Sequence, residues 1–242
     1  MRPIIYREPP PAPAPDFVGF PDLLAEWRLV RESLRLGLAL PRFALAPRGD
    51  GEPVLLIPGF QAPEASMQPL RLLLRRKGYD ARHWGQGINR GNVERYIEAL
   101  LPLLDELSSE AGQPVTLVGW SLGGVIAREL ARERADQVRG VITYGSPVVG
   151  GPTYTVAARS YDEAERRRIR ELTRERDQAQ PITVPIAAIF SRGDTIVSWP
   201  ACIDRVSPNV THYEVTSTHF SMGIDPTVWE IVLERLRESG DS

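Results

Sequence analysis

A chain of 242 residues with 42 % apolar side chains can bury one sizeable core, and its length fits a single α/β domain carrying an insertion better than two independent domains. A net charge of −2, with Arg interspersed among Glu and Asp rather than gathered in a block, argues against electrostatic capture of nucleic acid. The single cysteine, Cys202, excludes an intrachain disulfide; the start lacks the apolar core of a signal peptide, no apolar run reaches the roughly 20 residues of a transmembrane segment, and the expected setting is the cytoplasm.

Residues 1–20 read as a Pro-rich arm with no core of its own, extended through the Pro-Pro-Pro-Ala-Pro-Ala-Pro run at 9–15. A helix is predicted over 21–40, because Leu23, Leu24, Trp27, Val30, Leu34 and Leu38 recur every three or four positions. Such a stripe suits packing on the main domain; the sharper alternative is a face for a membrane surface or an acyl substrate. From residue 53 short apolar runs alternate with amphipathic stretches, the pattern of βα units around a parallel sheet. Six strands are expected, at 53–57, 79–84, 115–119, 138–144, 186–190 and 212–215, with helices near 66–77, 93–109, 122–134 and 226–238. Continuous apolar strands such as Val54-Leu55-Leu56-Ile57 suit a sheet covered by helices on both faces. The connection at about 147–181 is too long for a simple crossover. With a charged helix near 161–178, it predicts a small cap inserted into one domain that spans 21–242.

Gly119-Trp120-Ser121-Leu122-Gly123 reads G-x-S-x-G, a string that chance alone supplies often. Its context adds the weight: an apolar strand runs into it and a helix runs out. So sharp a turn strains the serine backbone and demands small residues two before and two after. Ser121 is therefore the candidate nucleophile, and a serine hydroxyl needs a neighbouring base with an orienting partner. Where a serine on such a turn is catalytic, the chain order is serine, acid, histidine, the last two in loops after late strands. His83 precedes Ser121, and His212 opens the final strand at the wrong end, which leaves His219 as base. Asp194, just past the strand at 186–190, is the acid; Asp204 is the runner-up, and Asp225 breaks the order. The tetrahedral intermediate needs two N–H donors, expected from Leu122 and from Phe60 in the loop Pro58-Gly59-Phe60-Gln61.

These segments, together with Gly145-Ser146-Pro147, resemble the α/β-hydrolase superfamily, and within it compact bacterial lipases and esterases. The resemblance spans roughly 53–235. Two features depart from it: Pro58 stands where many members have histidine, and no opening antiparallel strands are evident. The resemblance implies an α/β-hydrolase fold and an acyl-enzyme on Ser121 that cleaves a small-molecule carboxylic ester, the substrate of an acyl chain or lipid type. No metal or organic cofactor is expected, since the three histidines lack ligand spacing. Trp120 and Tyr154 are candidate substrate contacts, as is the Phe60 side chain, and each suits the core equally. The charged 161–178 segment favours a soluble ester over bulk triglyceride. Two competitors remain: an acyltransferase or thioesterase with the same triad, and a non-catalytic ligand-binding homologue.

Overall fold

The computed structural model describes residues 2–16, 18 and 28–240. Seven strands form one sheet: β1 (Ile4–Tyr6), β2 (Pro53–Ile57), β3 (Asp80–His83), β4 (Val115–Trp120), β5 (Val138–Tyr144), β6 (Ile186–Ser191) and β7 (Val210–Val215). Their spatial order is β1-β7-β6-β5-β4-β2-β3. Every neighbouring pair is parallel except β1 with β7. The described helices are α1 (Arg28–Leu45), α2 (Gln68–Arg76), α3 (Val93–Ala111), α4 (Leu122–Glu133), α5 (Glu163–Ala179) and α6 (Pro226–Gly240).

The pleat sorts each strand between two cores. Val54 and Leu56 join Phe43, Leu70, Leu74 and Trp229, where α1, α2 and α6 cover one face. Leu55 and Ile57 join Leu100, Leu104, Ile126 and Leu130 beneath α3 and α4 on the other. Chain direction across the sheet reverses between β2 and β4, because β3 lies on one side of β2 and β4 on the other. In open α/β sheets the crevice beyond the strand ends at such a point is where ligands bind.

Three expectations are corrected. The arm, expected to be extended with no core of its own, contributes a strand to the sheet: Ile4, Ile5 and Tyr6 pair antiparallel with Glu214, Tyr213 and His212. Ala12 also packs on the cluster of Phe190, Val197, Cys202 and Ile203. The sheet thus gains a seventh strand, one too short for alternation to announce it.

His212 does not open the last strand; it is the third residue of β7 and fully buried.

The third correction concerns the N-terminal helix, whose expected start at 21–27 lies outside the described residues. It continues to Leu45 with Pro41 inside it, and the residues it buries are Glu32, Ala39 and Phe43. Val30, Leu34 and Leu38, expected to pack, point outward. Packing fixes this orientation from the other side of the helix. The Phe43 ring lies 5.9 Å from that of Trp229 in α6, and Arg35, ion-paired with Glu32, donates to Thr227 at 3.2 Å.

Among the described residues no helix is long and apolar enough to cross a membrane.

Candidate active site

Strand β4 delivers the chain to Ser121 and α4 carries it away, so the serine sits on the turn with φ 55° and ψ −122°. A non-glycine residue there costs on the order of 1–3 kcal/mol and persists only when its surroundings hold it. Here the Ser121 N–H donates to Tyr144 O at 2.9 Å, and Ser121 O accepts from Gly124 N at 3.0 Å. The small residues are steric necessities. A Cβ on Gly119 would run into Gly123 O and Gly124 N, and one on Gly123 into Ile57 O. Gly124 is equally constrained, by Ser146 Oγ, a demand the pentapeptide pattern does not reveal.

His219 and Asp194 meet as expected, with Nδ1 and Oδ2 2.8 Å apart and side chains 3 % and 1 % exposed. A carboxylate accepts, so Nδ1 is the donor in this contact and Nε2 is left on the far side of the ring from Asp194. The other carboxylate oxygen of Asp194 accepts from Ile196 N and Val197 N, each at 2.8 Å, which fixes this side chain in its loop.

The pair lies beside the serine turn. A Cβ on Gly145, the residue after Tyr144, would sit 3.1 Å from His219 Nδ1 and 3.2 Å from Asp194 Oδ2. The ring of Trp120, next to Ser121, is 5.8 Å from the imidazole. No hydrogen bond joins the Ser121 hydroxyl to His219 among the described residues. Such bonds often close only when substrate is bound.

The loop after β2 approaches the serine from the opposite side, where a Cβ on Gly59 would stand 3.2 Å from Ser121 Cβ. As the first residue of α4, Leu122 has no carbonyl one turn earlier to receive its N–H. Phe60 N–H has no backbone acceptor among the described residues.

Asn89, which sequence reasoning missed, holds this loop. Its O accepts from Gln61 N at 2.7 Å, its amide donates to Pro58 O at 2.8 Å, and its Oδ1 accepts from Gly91 N at 3.1 Å. Asn89 is fully buried, and Gln61 beside it is held at φ 58°. The one sequence signal was an Asn among the glycines at 85–91, which reads equally as ordinary turn chemistry.

A cavity of about 160 Å³ opens over Ser121 and Leu122. Phe60, Ile196 and Val197 form its sides, while Pro147, Pro152, Val156 and Tyr161 reach over it from the β5–β6 connection. A second cavity of about 480 Å³ shares the Leu122, Pro152 and Tyr161 walls and extends to Arg128 and Arg176. The long helix of this connection, α5, begins with an Asp162–Glu165 capping box and buries none of its side chains.

The remaining candidates fall elsewhere. Trp120 packs against Tyr144, His219 and Phe220, and Tyr154 lies under the Arg170 guanidinium; neither contributes to the cavity wall. Asp204 pairs with Arg128 at 2.7 Å. Burial alone would raise its pKa, but Arg128 and the N–H groups of Ser207 and Val206 hold it at about 2. His83 is bonded to Gln68 at 2.6 Å. Burial lowers the pKa of His212 to about 4. Asp225 receives Ser217 Oγ at 2.8 Å and braces the His219 loop from beneath. Among the described residues no group of three or more His, Cys, Asp or Glu could hold a metal ion.

The sequence model described as the alpha/beta hydrolase family matches residues 54–230. No curated protein matches the chain. Among solved structures, Est1E from Butyrivibrio proteoclasticus superposes with a TM-score of 0.63 at 15 % identity, over 81 % of this chain and 93 % of its own. A structure from work on LipS and LipT, two metagenome-derived lipolytic enzymes, gives 0.62 at 17 % identity, over 81 % of this chain and 96 % of its own. Alpha/beta hydrolase domain-containing protein 10 from mouse gives 0.59 at 18 %, over 80 % and 91 %. At these identities the likeness is one of fold.

Proposed function

From the premise that this chain belongs to the alpha/beta hydrolase family, we propose that it is a serine hydrolase that cleaves a carboxylic ester through an acyl-enzyme on Ser121. The observation that carries this reading is the buried Asp194–His219 pair beside a strained serine that opens into an apolar cavity.

In the proposed reaction Ser121 Oγ attacks the ester carbonyl carbon as His219 Nε2 takes the hydroxyl proton. Asp194 holds the imidazole in the required tautomer and stabilises the imidazolium. The N–H groups of Leu122 and Phe60 receive the developing oxyanion, helped by the N-terminus of α4. Collapse expels the alcohol, which leaves with the proton from His219. Water, deprotonated by the same imidazole, then attacks the acyl-enzyme and releases the acid. The β5–β6 connection acts as the cap that keeps the acyl group dry.

The cavity directly over Ser121 is the place for the acyl group, beside the larger one that shares its Leu122 wall. Its volume of about 160 Å³ suits a short acyl chain better than a long one. Hydrolysis of p-nitrophenyl esters from acetyl to palmitoyl tests the reading, with butyryl and hexanoyl expected to be best. Ser121→Ala should lower kcat by about 10⁴-fold or more. Equal activity in that variant, or no cleavage of any ester, would overturn it.

A further inference from the structure

We propose that the outward face of α1 is a docking surface for a lipid bilayer that contains anionic lipid. Six aliphatic side chains stand exposed along this one helix: Leu29, Val30, Leu34, Leu38, Leu40 and Leu45. Leu38 and Leu45 are 82 % and 87 % exposed, more than isolated surface leucines require. At 100° per residue these positions, with Gly37, Pro41 and Ala44, fill one continuous arc of about half the helix circumference. The arc carries no charge. Its one polar residue, Ser33, spends its hydroxyl on Leu29 O at 2.8 Å.

The opposite side of α1 is already committed, with Phe43 and Ala39 in the core and Glu32 buried. The helix therefore has two apolar faces, and the described residues pack on only one. A surface helix whose apolar stripe points away from its own core cannot be explained by packing of that core.

Charge and chemistry select the occupant. Among the described residues of α1 there are four arginines and a single acid, and that acid, Glu32, is turned inward to Arg31 and Arg35. Arg31 and Arg42 follow one edge of the apolar arc with side chains 44 % and 70 % exposed; each touches one carboxylate, Glu32 at 2.7 Å and Glu230 at 3.3 Å, and keeps its remaining N–H groups toward solvent. An apolar face edged by arginine is the arrangement of a helix that lies in the bilayer interface, where the guanidinium groups reach lipid phosphates. A second copy of the chain would offer one acid beside this edge, Glu230, which is already paired with Arg42 at 3.3 Å. The centres of protein interfaces also favour Tyr, Trp and directed hydrogen bonds, and this arc has none.

Placement gives the surface a consequence. The first turn of α1 borders the acid loop, since a Cβ on Gly193 would meet the Arg28 guanidinium at 3.2 Å. Arg35 reaches Asp225, just beyond the turn that follows His219. Both arginines lie on the inward side of α1, so docking would hold the loops of His219 and Asp194 about one helix diameter, ~10 Å, behind the lipid surface.

The test is co-sedimentation of the full chain with vesicles of phosphatidylcholine alone or mixed with phosphatidylglycerol, read without turnover and so independent of the ester-hydrolase reading. The wild type should partition to the mixed vesicles about tenfold or more better than to phosphatidylcholine. Leu34→Glu/Leu38→Glu, at exposed positions and with an unchanged melting temperature, should lose about tenfold or more. Arg31→Gln/Arg42→Gln should weaken only the anionic preference. Failure of the wild type to sediment, equal binding by the Leu variant, or indifference to phosphatidylglycerol would overturn the proposal. So would a wild-type dimer in sedimentation velocity that Leu34→Glu/Leu38→Glu converts to a monomer without any vesicle binding.

Discussion

Asn89 meets the loop proposed to supply an oxyanion donor through its backbone and its side chain at once, and that makes it the residue through which the loop can be perturbed without touching Ser121. Its amide fixes Pro58 O and its carbonyl fixes Gln61 N, on either side of Gly59 and Phe60. With the side chain removed, Pro58 O and Gly91 N lose buried partners, a cost of about 1–3 kcal/mol, and the Phe60 N–H is free to turn from the position assigned to it. Asn89→Ala is expected to lower kcat by about 10- to 100-fold on the preferred p-nitrophenyl ester with KM nearly unchanged, because in the proposed reaction only the transition state uses that donor. A rise in KM at constant kcat would show instead that Asn89 shapes the acyl cavity. A variant that only melts earlier would limit the residue to a structural role.

At the scale of elements, two glycines on helices make opposite predictions from the same construction. Gly123, in the first turn of α4, faces the Ile57 carbonyl of β2, a backbone atom that cannot step aside. Gly123→Ala should separate α4 from β2 and destabilise the fold by about 1–3 kcal/mol, with activity lost as the Ser121 turn shifts. Gly37, in α1, has nothing within 4 Å of its Cβ position, and Gly37→Ala should stabilise by about 0.5–1 kcal/mol. Thermal melts of both variants decide the pair, and melting shifts of the same sign would contradict it.

The contrast also explains what the sequence could disclose. Strands with several consecutive apolar residues were legible because a sheet covered on both sides leaves no polar alternation to confuse them; β2 and β5 begin and end where the pattern predicts. The serine turn was legible because its sterics dictate glycine at fixed offsets. Periodicity located α1 yet misjudged its buried side: a 3.6-residue repeat measures how apolar a face is, not what it packs against. β1 escaped because three residues pair only after β7 exists to receive them. Asn89 escaped because its function is a relation between two loops about 30 positions apart in sequence.

Across the whole molecule, one buried polar network joins the elements that bear the site. Arg128 projects from α4, the helix behind Ser121, to Asp204 in the segment between β6 and β7. The backbone N–H of Asp204 donates in turn to His212 Nε2 at 3.1 Å, on the strand that leads to His219. That bond requires a neutral imidazole, since a protonated Nε2 would oppose an N–H donor, and burial lowers the His212 pKa to about 4. An unfolded chain gains this proton below about pH 6.5, whereas the folded chain resists until about 4. The unfolded state therefore binds more protons through that window, and stability falls as pH drops from 6.5 to 4, by up to about 3 kcal/mol from this group. Asp204, held at about 2, withdraws its own contribution only below its unfolded pKa of about 3.9, as pH falls toward 2. Two successive losses are expected in acid, the first belonging to His212. In His212→Gln the side-chain oxygen can still accept from Asp204 N, but nothing titrates, so urea midpoints between pH 4.5 and 6.5 should lie on a flatter line than in the wild type. Parallel lines for the two proteins would assign the first loss to another group and leave the Arg128–Asp204 pair as the acid-sensitive part of the network.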